Sequence, residues 1–213
     1  MLSNKSVCPL CSASADFFCT DRGTNFFKCS GCHSVFRDPN EDLSLEAEKK
    51  RYELHNNDIN DPGYRTFITP IVDAVLCNFS PTHTGLDFGA GPKPTITKVL
   101  QEKGYNISPY DPFFHNDPKL LEKVYDYIVA CEVIEHFRSP AEEFKRLRSL
   151  LNPGGALICM TELYAEKTDF SKWPYKNDIT HRFFYSRKTL EWIRDNFYFS
   201  KLETKGRLII ITI

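Results

Sequence analysis

The run Gly85-Leu86-Asp87-Phe88-Gly89-Ala90-Gly91 constrains this chain more than any other stretch. A short apolar strand runs into a glycine-rich turn. The apolar spacing of Ile96, Val99 and Leu100 then marks a helix that Gly104 stops. Glycine accepts positive φ and lets a ligand approach the backbone closely. Ligands of open α/β sheets bind at the carboxyl ends of the strands, so this turn is a candidate ligand floor. Asp111 follows Gly91 by about 20 residues, at the end of a strand-like run over residues 105–110. A carboxylate there can accept both hydroxyls of a ribose.

The full G-x-G-x-x-G of a dinucleotide site is missing, because Pro92, Lys93 and Pro94 follow the glycines. A nicotinamide enzyme is disfavoured on that ground. Asp87 would also repel a pyrophosphate. It suits a cationic ligand, such as the sulfonium and amino group of S-adenosylmethionine.

Strands and helices continue to alternate downstream. Residues 125–131 form an apolar, β-rich run. Ser139-Pro140-Ala141-Glu142 reads as a capping box with proline at the first helical position. Phe144, Leu147, Leu150 and Leu151 line that helix, and Asn152-Pro153-Gly154-Gly155 ends it. A strand over 156–161, a helix over 189–196 and a closing strand pair over 197–203 and 207–213 complete the pattern. Such alternation implies a mainly parallel sheet with helices on both faces. The closing pair, joined at Lys205-Gly206, must be antiparallel, since a parallel pair needs a long crossover. Upstream, residues 41–57 read as a charged helix with one weak apolar face. Phe67, Ile68, Ile71, Val72, Val75, Leu76 and Phe79 form a helical stripe around Pro70. That proline either starts a helix capped by Thr69 or kinks a longer one.

Residues 85–91, Asp111 and the run YDYIVACEVIEHFRSP (residues 125–140) are similar to the class I S-adenosylmethionine-dependent methyltransferases. The resemblance is to the small-molecule type with an E-V-x-E-H segment after the fourth strand, and covers residues 64–213. It implies an α/β fold: a Rossmann-like, seven-stranded, mainly parallel sheet with an antiparallel C-terminal strand. It also implies that Asp87, Gly89, Ala90 and Gly91 surround the methionine part of the cofactor. Asp111 would bind the ribose, and Cys131, Glu132 and Val133 would edge the pocket. Tyr64 is a candidate lid. The family often carries glycine where Lys93 stands. Its acidic motif before the fourth strand is not evident over residues 115–122, so adenine recognition has no assigned residue.

Five of the eight cysteines fall within the first 32 residues. Cys8-Pro9-Leu10-Cys11 and Cys29-Ser30-Gly31-Cys32 form two Cys-x-x-Cys knuckles separated by 17 residues, the spacing of a four-cysteine zinc site. A segment so poor in aliphatic residues usually needs a metal or a disulfide to hold it, and zinc binding would supply the folding energy it lacks. Cys19 and His33 read as neighbours rather than ligands. The expected division is a zinc ribbon over 1–39, a helical linker or lid over 40–81 and a cofactor-binding domain over 82–213.

Methyl transfer needs alignment and, for an oxygen or nitrogen acceptor, removal of a proton. Glu135 and His136, beside Glu132, are one candidate source of the base. Relatives with this E-x-x-E-H pattern include metal binders, but a polar hinge is the favoured reading here. The other candidate is His181, in a loop with Trp173 and Tyr175 as acceptor walls. The expected acceptor is a small molecule. An RNA or protein acceptor recognised by the ribbon is the alternative, and would need a basic face from Lys93, Lys172, Lys176, Arg182 and Arg187. A non-catalytic zinc-ribbon adaptor is a third reading. The formal net charge of −1 shows no basic tract, and nucleic acid is not favoured. No apolar run approaches the ~20 residues of a membrane helix, and residues 1–7 are polar. The expected location is the cytoplasm. The oligomeric state is not legible.

Overall fold

The computed structural model describes residues 5–54 and 57–213. Part of the polar N-terminal stretch and residues 55–56 of the expected charged helix lie outside the described residues.

The chain opens with four antiparallel strands: β1 (Lys5–Val7), β2 (Ser14–Asp21), β3 (Thr24–Cys29) and β4 (Val35–Arg37). Two helices follow, α1 (Leu45–Glu53) and α2 (Pro62–Asn78). Ser44 caps α1 by accepting from Ala47 N, and Asp61 caps α2 by accepting from Gly63 N. Pro70 lies inside α2, so the longer of the two expected helices is the one formed.

Next come β5 (Thr84–Phe88), α3 (Thr95–Glu102), β6 (Asn106–Tyr110), β7 (Tyr125–Cys131), α4 (Pro140–Ser149) and β8 (Leu151–Met160). The chain ends with β9 (Phe183–Phe184), α5 (Arg187–Asn196), β10 (Lys201–Lys205) and β11 (Leu208–Thr212). The main sheet has the order β10-β11-β8-β7-β5-β6. Strands β5 to β8 run parallel, and β10 and β11 close the sheet antiparallel.

Strand faces alternate as a sheet covered on both sides requires. Leu86, Ile128, Ala130, Leu157, Cys159, Ile209 and Ile211 pack with α4 and α5. Tyr127, Val129, Ala156, Ile158 and Met160 pack with α2 and α3 on the other face. The first cluster runs without a break into the N-terminal sheet through Leu10, Phe27 and Phe36. That sheet takes its fifth strand, β9, from the far end of the chain.

Three expectations need correction. The main sheet has six strands among the described residues, not seven. Between β6 and β7 lie only the Asp111–His115 bridge and one 3-10 turn, Pro118–Glu122, too little chain for a further strand and its crossover. The segment 152–155 belongs to β8 rather than ending a helix. Tyr125 pairs with Leu151 and Tyr127 with Ala156, so these residues bulge from the ladder. Ser139 caps α4 without a side-chain bond; the capping box forms at α5 instead, between Ser186 and Thr189.

Candidate active site and cysteine cluster

The chain passes from β5 outward to β6, then back across β5 to β7. Such a reversal leaves a crevice at the carboxyl ends of the strands. Here it is a cleft of about 730 Å³. Gly89 and Gly91 from the β5 turn, Asp111 after β6, Cys131 at the end of β7, and Glu132 and Val133 after it form its floor. Tyr64 of α2 lines its side, and Leu45, Glu48 and Tyr52 of α1 reach it from above the sheet.

The turn is held by its backbone. Gly89 and Ala90 both donate N–H to Tyr110 O, at 2.8 and 3.1 Å. Gly89 and Gly91 have φ of +75° and +66°. A Cβ on Gly89 would lie 2.6 Å from Val133 Cγ2, so both conformation and space demand glycine there. Gly91 N donates to Asp111 Oδ2 at 2.9 Å, while Asp111 Oδ1 accepts from Phe113 N (2.8 Å) and Phe114 N (3.2 Å). The carboxylate is thereby locked at the cleft edge, with Oδ1 taking two donors and acceptor capacity remaining on Oδ2.

Ala90 and Asp87 do not line the cleft. Asp87 lies beneath the turn, 3% exposed, and takes Thr97 Oγ1 (2.7 Å) and Thr97 N (3.2 Å), tying β5 to α3. Burial raises its carboxyl to about 6.

A second group of polar side chains sits past β7. Glu132 holds a positive φ of 53°, a strained conformation for a residue with a side chain. Its Oε2 takes Arg207 Nη2 and lies 3.2 Å from Tyr175 Oη, and its Oε1 is buried with no hydrogen-bond partner among the described residues. Glu135 is fully buried and accepts from Tyr175 Oη. Burial, and next the neighbouring Glu132 charge, push Glu135 up to about 8.

His136 Nδ1 meets Thr180 O at 3.0 Å, and His181 Nδ1 meets Tyr175 O at 2.6 Å. A carbonyl only accepts, so both rings carry hydrogen on Nδ1 and present Nε2 as the basic nitrogen. The two rings stand edge to face with centroids 4.8 Å apart, and both line the cleft. Burial, then the His181 charge, lower His136 to about 3, so it is neutral at pH 7. Glu135, His136 and His181 each offer one donor atom within 4.8 Å of the others, a compact set that could also hold a divalent ion.

The profile of the methyltransferase domain family matches residues 63–204, two thirds of the chain. The chain belongs to that family. It is an enzyme, and the cleft's lining from Tyr64 to His181 lies within the matched region, while Leu45, Glu48 and Tyr52 precede it. No curated protein matches the methyltransferase by sequence.

Among the solved structures that share its fold are three of differing length. One is a protein from Pyrococcus horikoshii: 18% identity, TM-score 0.52, covering 76% of this chain and 96% of that one. A second is an O-methyltransferase family protein from Burkholderia thailandensis: 14% identity, TM-score 0.50, 78% and 61% covered. The third is human N-acetylserotonin methyltransferase in complex with SAM: 12% identity, TM-score 0.52, 68% and 52% covered. The chain thus spans about half to three fifths of the last two proteins.

In the methyltransferase's N-terminal sheet, Cys8, Cys11, Cys29 and Cys32 converge with all four sulfurs within 4.8 Å of one another. Cys8 and Cys32 Sγ lie 3.6 Å apart, and Cys11 and Cys29 Sγ 3.3 Å. A tetrahedral zinc with ~2.3 Å bonds separates its sulfurs by roughly 3.8 Å, so the donor set fits zinc. The knuckles mirror each other: the residue after each pair, Ser12 or His33, has a φ near +60°. Cys19 and His33 stay outside the cluster.

The acceptor walls expected at Trp173 and Tyr175 do not face the cleft. Trp173 is buried in an aromatic cluster with Phe26, Phe170 and Phe184, and Tyr175 lies under the glutamates. Tyr52, Glu48 and Arg207 were not legible as site residues. Glu48 and Tyr52 sit in a charged helix with no motif, and only their i, i+4 spacing links them. Arg207 follows a turn glycine in an unremarkable strand pair.

Proposed function

We propose that this methyltransferase uses S-adenosylmethionine to methylate an oxygen or nitrogen of a small-molecule acceptor. The observation that carries the reading is the placement of two Nδ1-anchored imidazoles, His181 and His136, beside the glycine turn and Asp111 in one cleft.

The cleft fits the cofactor chemically. The backbone of Gly89 and Gly91 admits close approach, and Asp111 Oδ2 offers an acceptor to the ribose hydroxyls. The orphaned Glu132 Oε1 offers one to the amino group. Tyr64, Cys131 and Val133 wall the site, while Asp87 and Ala90 support the turn from behind. S-adenosylmethionine supplies a methyl group already activated on a sulfonium. The protein's remaining tasks are alignment and removal of a proton. His181 Nε2 accepts the proton of the acceptor group. Neutral His136 orients that group by a hydrogen bond, and Glu135, held protonated at neutral pH, avoids adding a second buried charge beside Glu132.

The ribbon cysteines are read as a structural zinc site. The remaining cysteines, Cys19, Cys77, Cys131 and Cys159, are unpaired thiols, which suits a reducing, cytoplasmic setting. No helix among the described residues is long and apolar enough to cross a membrane. The basic face needed for RNA is not supported either. Lys176 is buried against Asp21, Arg182 is buried against Glu48 and Asp42, and Lys93 pairs with Asp58.

The test is incubation of metabolite and RNA pools with methyl-labelled S-adenosylmethionine. Label should enter the small-molecule pool and fall about 100-fold with His181→Ala. Label confined to RNA, or undiminished transfer by the variant, would contradict the reading.

A further inference from the structure

The ribbon's contribution to the cleft lies in one side chain. Arg37, at the end of β4, is 7% exposed and has no carboxylate in ion-pair contact among the described residues. Its donors go to carbonyls instead. Nε donates to His181 O (3.2 Å), and Nη2 to Asp178 O (3.1 Å) and Lys176 O (3.4 Å). Nη1 donates to Thr24 Oγ1 of the ribbon at 3.3 Å. The Arg37 backbone N–H adds Arg182 O at 2.8 Å. One ribbon residue thus holds four carbonyls spread over residues 176–182.

The same segment is tied to the ribbon at both ends. Lys176 Nζ reaches Asp21, and β9 pairs with β4 through Val35 and Phe184. Ser186 Oγ donates to His33 O at 3.2 Å.

A buried guanidinium that touches no carboxylate, with Glu41, Asp42 and Asp178 acting on it only through space, is a poor way to add stability, because an apolar side chain of similar volume avoids the desolvation cost. Its distinctive capacity is to hold several acceptors at fixed angles through a rigid planar fork. The acceptors held here are those that set the course of the loop carrying His181.

We infer that Arg37 is a positioning residue for His181, and that the cysteine-rich ribbon serves as a splint for the acceptor side of the cleft. This rests on the reading of His181 as the proton acceptor. Without the fork, three loop carbonyls lose their donor, the loop samples other courses, and His181 faces the cleft for only a fraction of the time. Apparent proton-accepting capacity falls by that fraction. The glycine turn, Asp111 and Glu132 receive no bond from Arg37, so nucleoside binding is spared.

The experiment compares the zinc-loaded full chain with Arg37→Met and Arg37→Lys. It reads amide hydrogen exchange over 176–182, the imidazole nitrogen resonances of His181, and calorimetric affinity for S-adenosylhomocysteine. Arg37→Met should speed exchange over 177–182 about tenfold or more. It should turn the single Nδ1–H signature of His181 into a tautomer average, and leave nucleoside affinity within about twofold. Arg37→Lys, which keeps charge but loses the fork, should fall between.

Unchanged protection and an unchanged His181 signature in Arg37→Met would overturn the inference. Failure of the parent chain to bind the nucleoside would instead overturn the proposed function. Should Arg37→Met not fold, Asp21→Asn releases Lys176 alone and should loosen 176–178; no loosening there counts against the splint.

Discussion

Gly89 shows how closely a single position is determined. Its φ of +75° and the Val133 methyl groups behind it exclude any side chain. Gly89→Ala should destabilise the fold by about 1–3 kcal/mol in urea unfolding, through strain and displacement of Val133. His136 makes a second prediction at this scale. Its folded value, about 3, lies below the 6.5 of an unfolded histidine. Between these limits the unfolded chain binds a proton that the folded chain does not. The contribution is therefore fully present above pH 6.5 and is lost as pH falls toward 3. His136→Asn should flatten that part of the stability–pH curve by at most about 1.4 kcal/mol per pH unit. An equally steep curve for the variant would contradict the assignment. The turn glycines, Asp111 and the four cysteines were legible because each has a chemical reason for its spacing. Arg37 was not: apart from Thr24, its side-chain partners are backbone carbonyls more than 130 residues away, and carbonyls leave no trace in sequence.

At the scale of elements, α1 shows a polar latch that periodicity could not reveal. The helix buries Glu48 rather than an apolar stripe. That carboxylate accepts from Arg182 Nη1 (2.9 Å) and Nη2 (3.2 Å), from Arg138 Nη2 (2.8 Å) and from Tyr52 Oη (2.7 Å). These donors hold it below the usual carboxylate range despite the opposing cost of burial. Glu48→Ala leaves Arg182 with Asp42 but strips the carboxylate from both its terminal nitrogens, and should cost about 3 kcal/mol in urea unfolding, far more than an exposed ion pair on the same helix such as Glu46–Lys50. The β-strands were readable because alternating faces with one packing partner each leave a period of two. The missing seventh strand was not, since an expectation carried by resemblance overlooks how little chain separates β6 from β7.

For the molecule as a whole, the N-terminal sheet is not an appendage on a string. Its core is continuous with one face of the main sheet, and β9 completes it from the other end of the chain. A zinc site there therefore bears on the entire fold. Purified protein should carry about one zinc per chain by elemental analysis, and Cys29→Ser should lower the melting temperature of the whole molecule in one transition. A variant that melts the ribbon separately while the main sheet keeps its parent midpoint would contradict this coupling.

The central claim is that the cleft between Gly89, Gly91 and Asp111 holds S-adenosylmethionine. Calorimetric titration of that nucleoside into the parent and into Asp111→Ala tests it most directly. The account predicts saturable binding at one site per chain, weakened roughly 10- to 100-fold by the substitution. Equal affinity in the two proteins, or no heat from the parent, would contradict it.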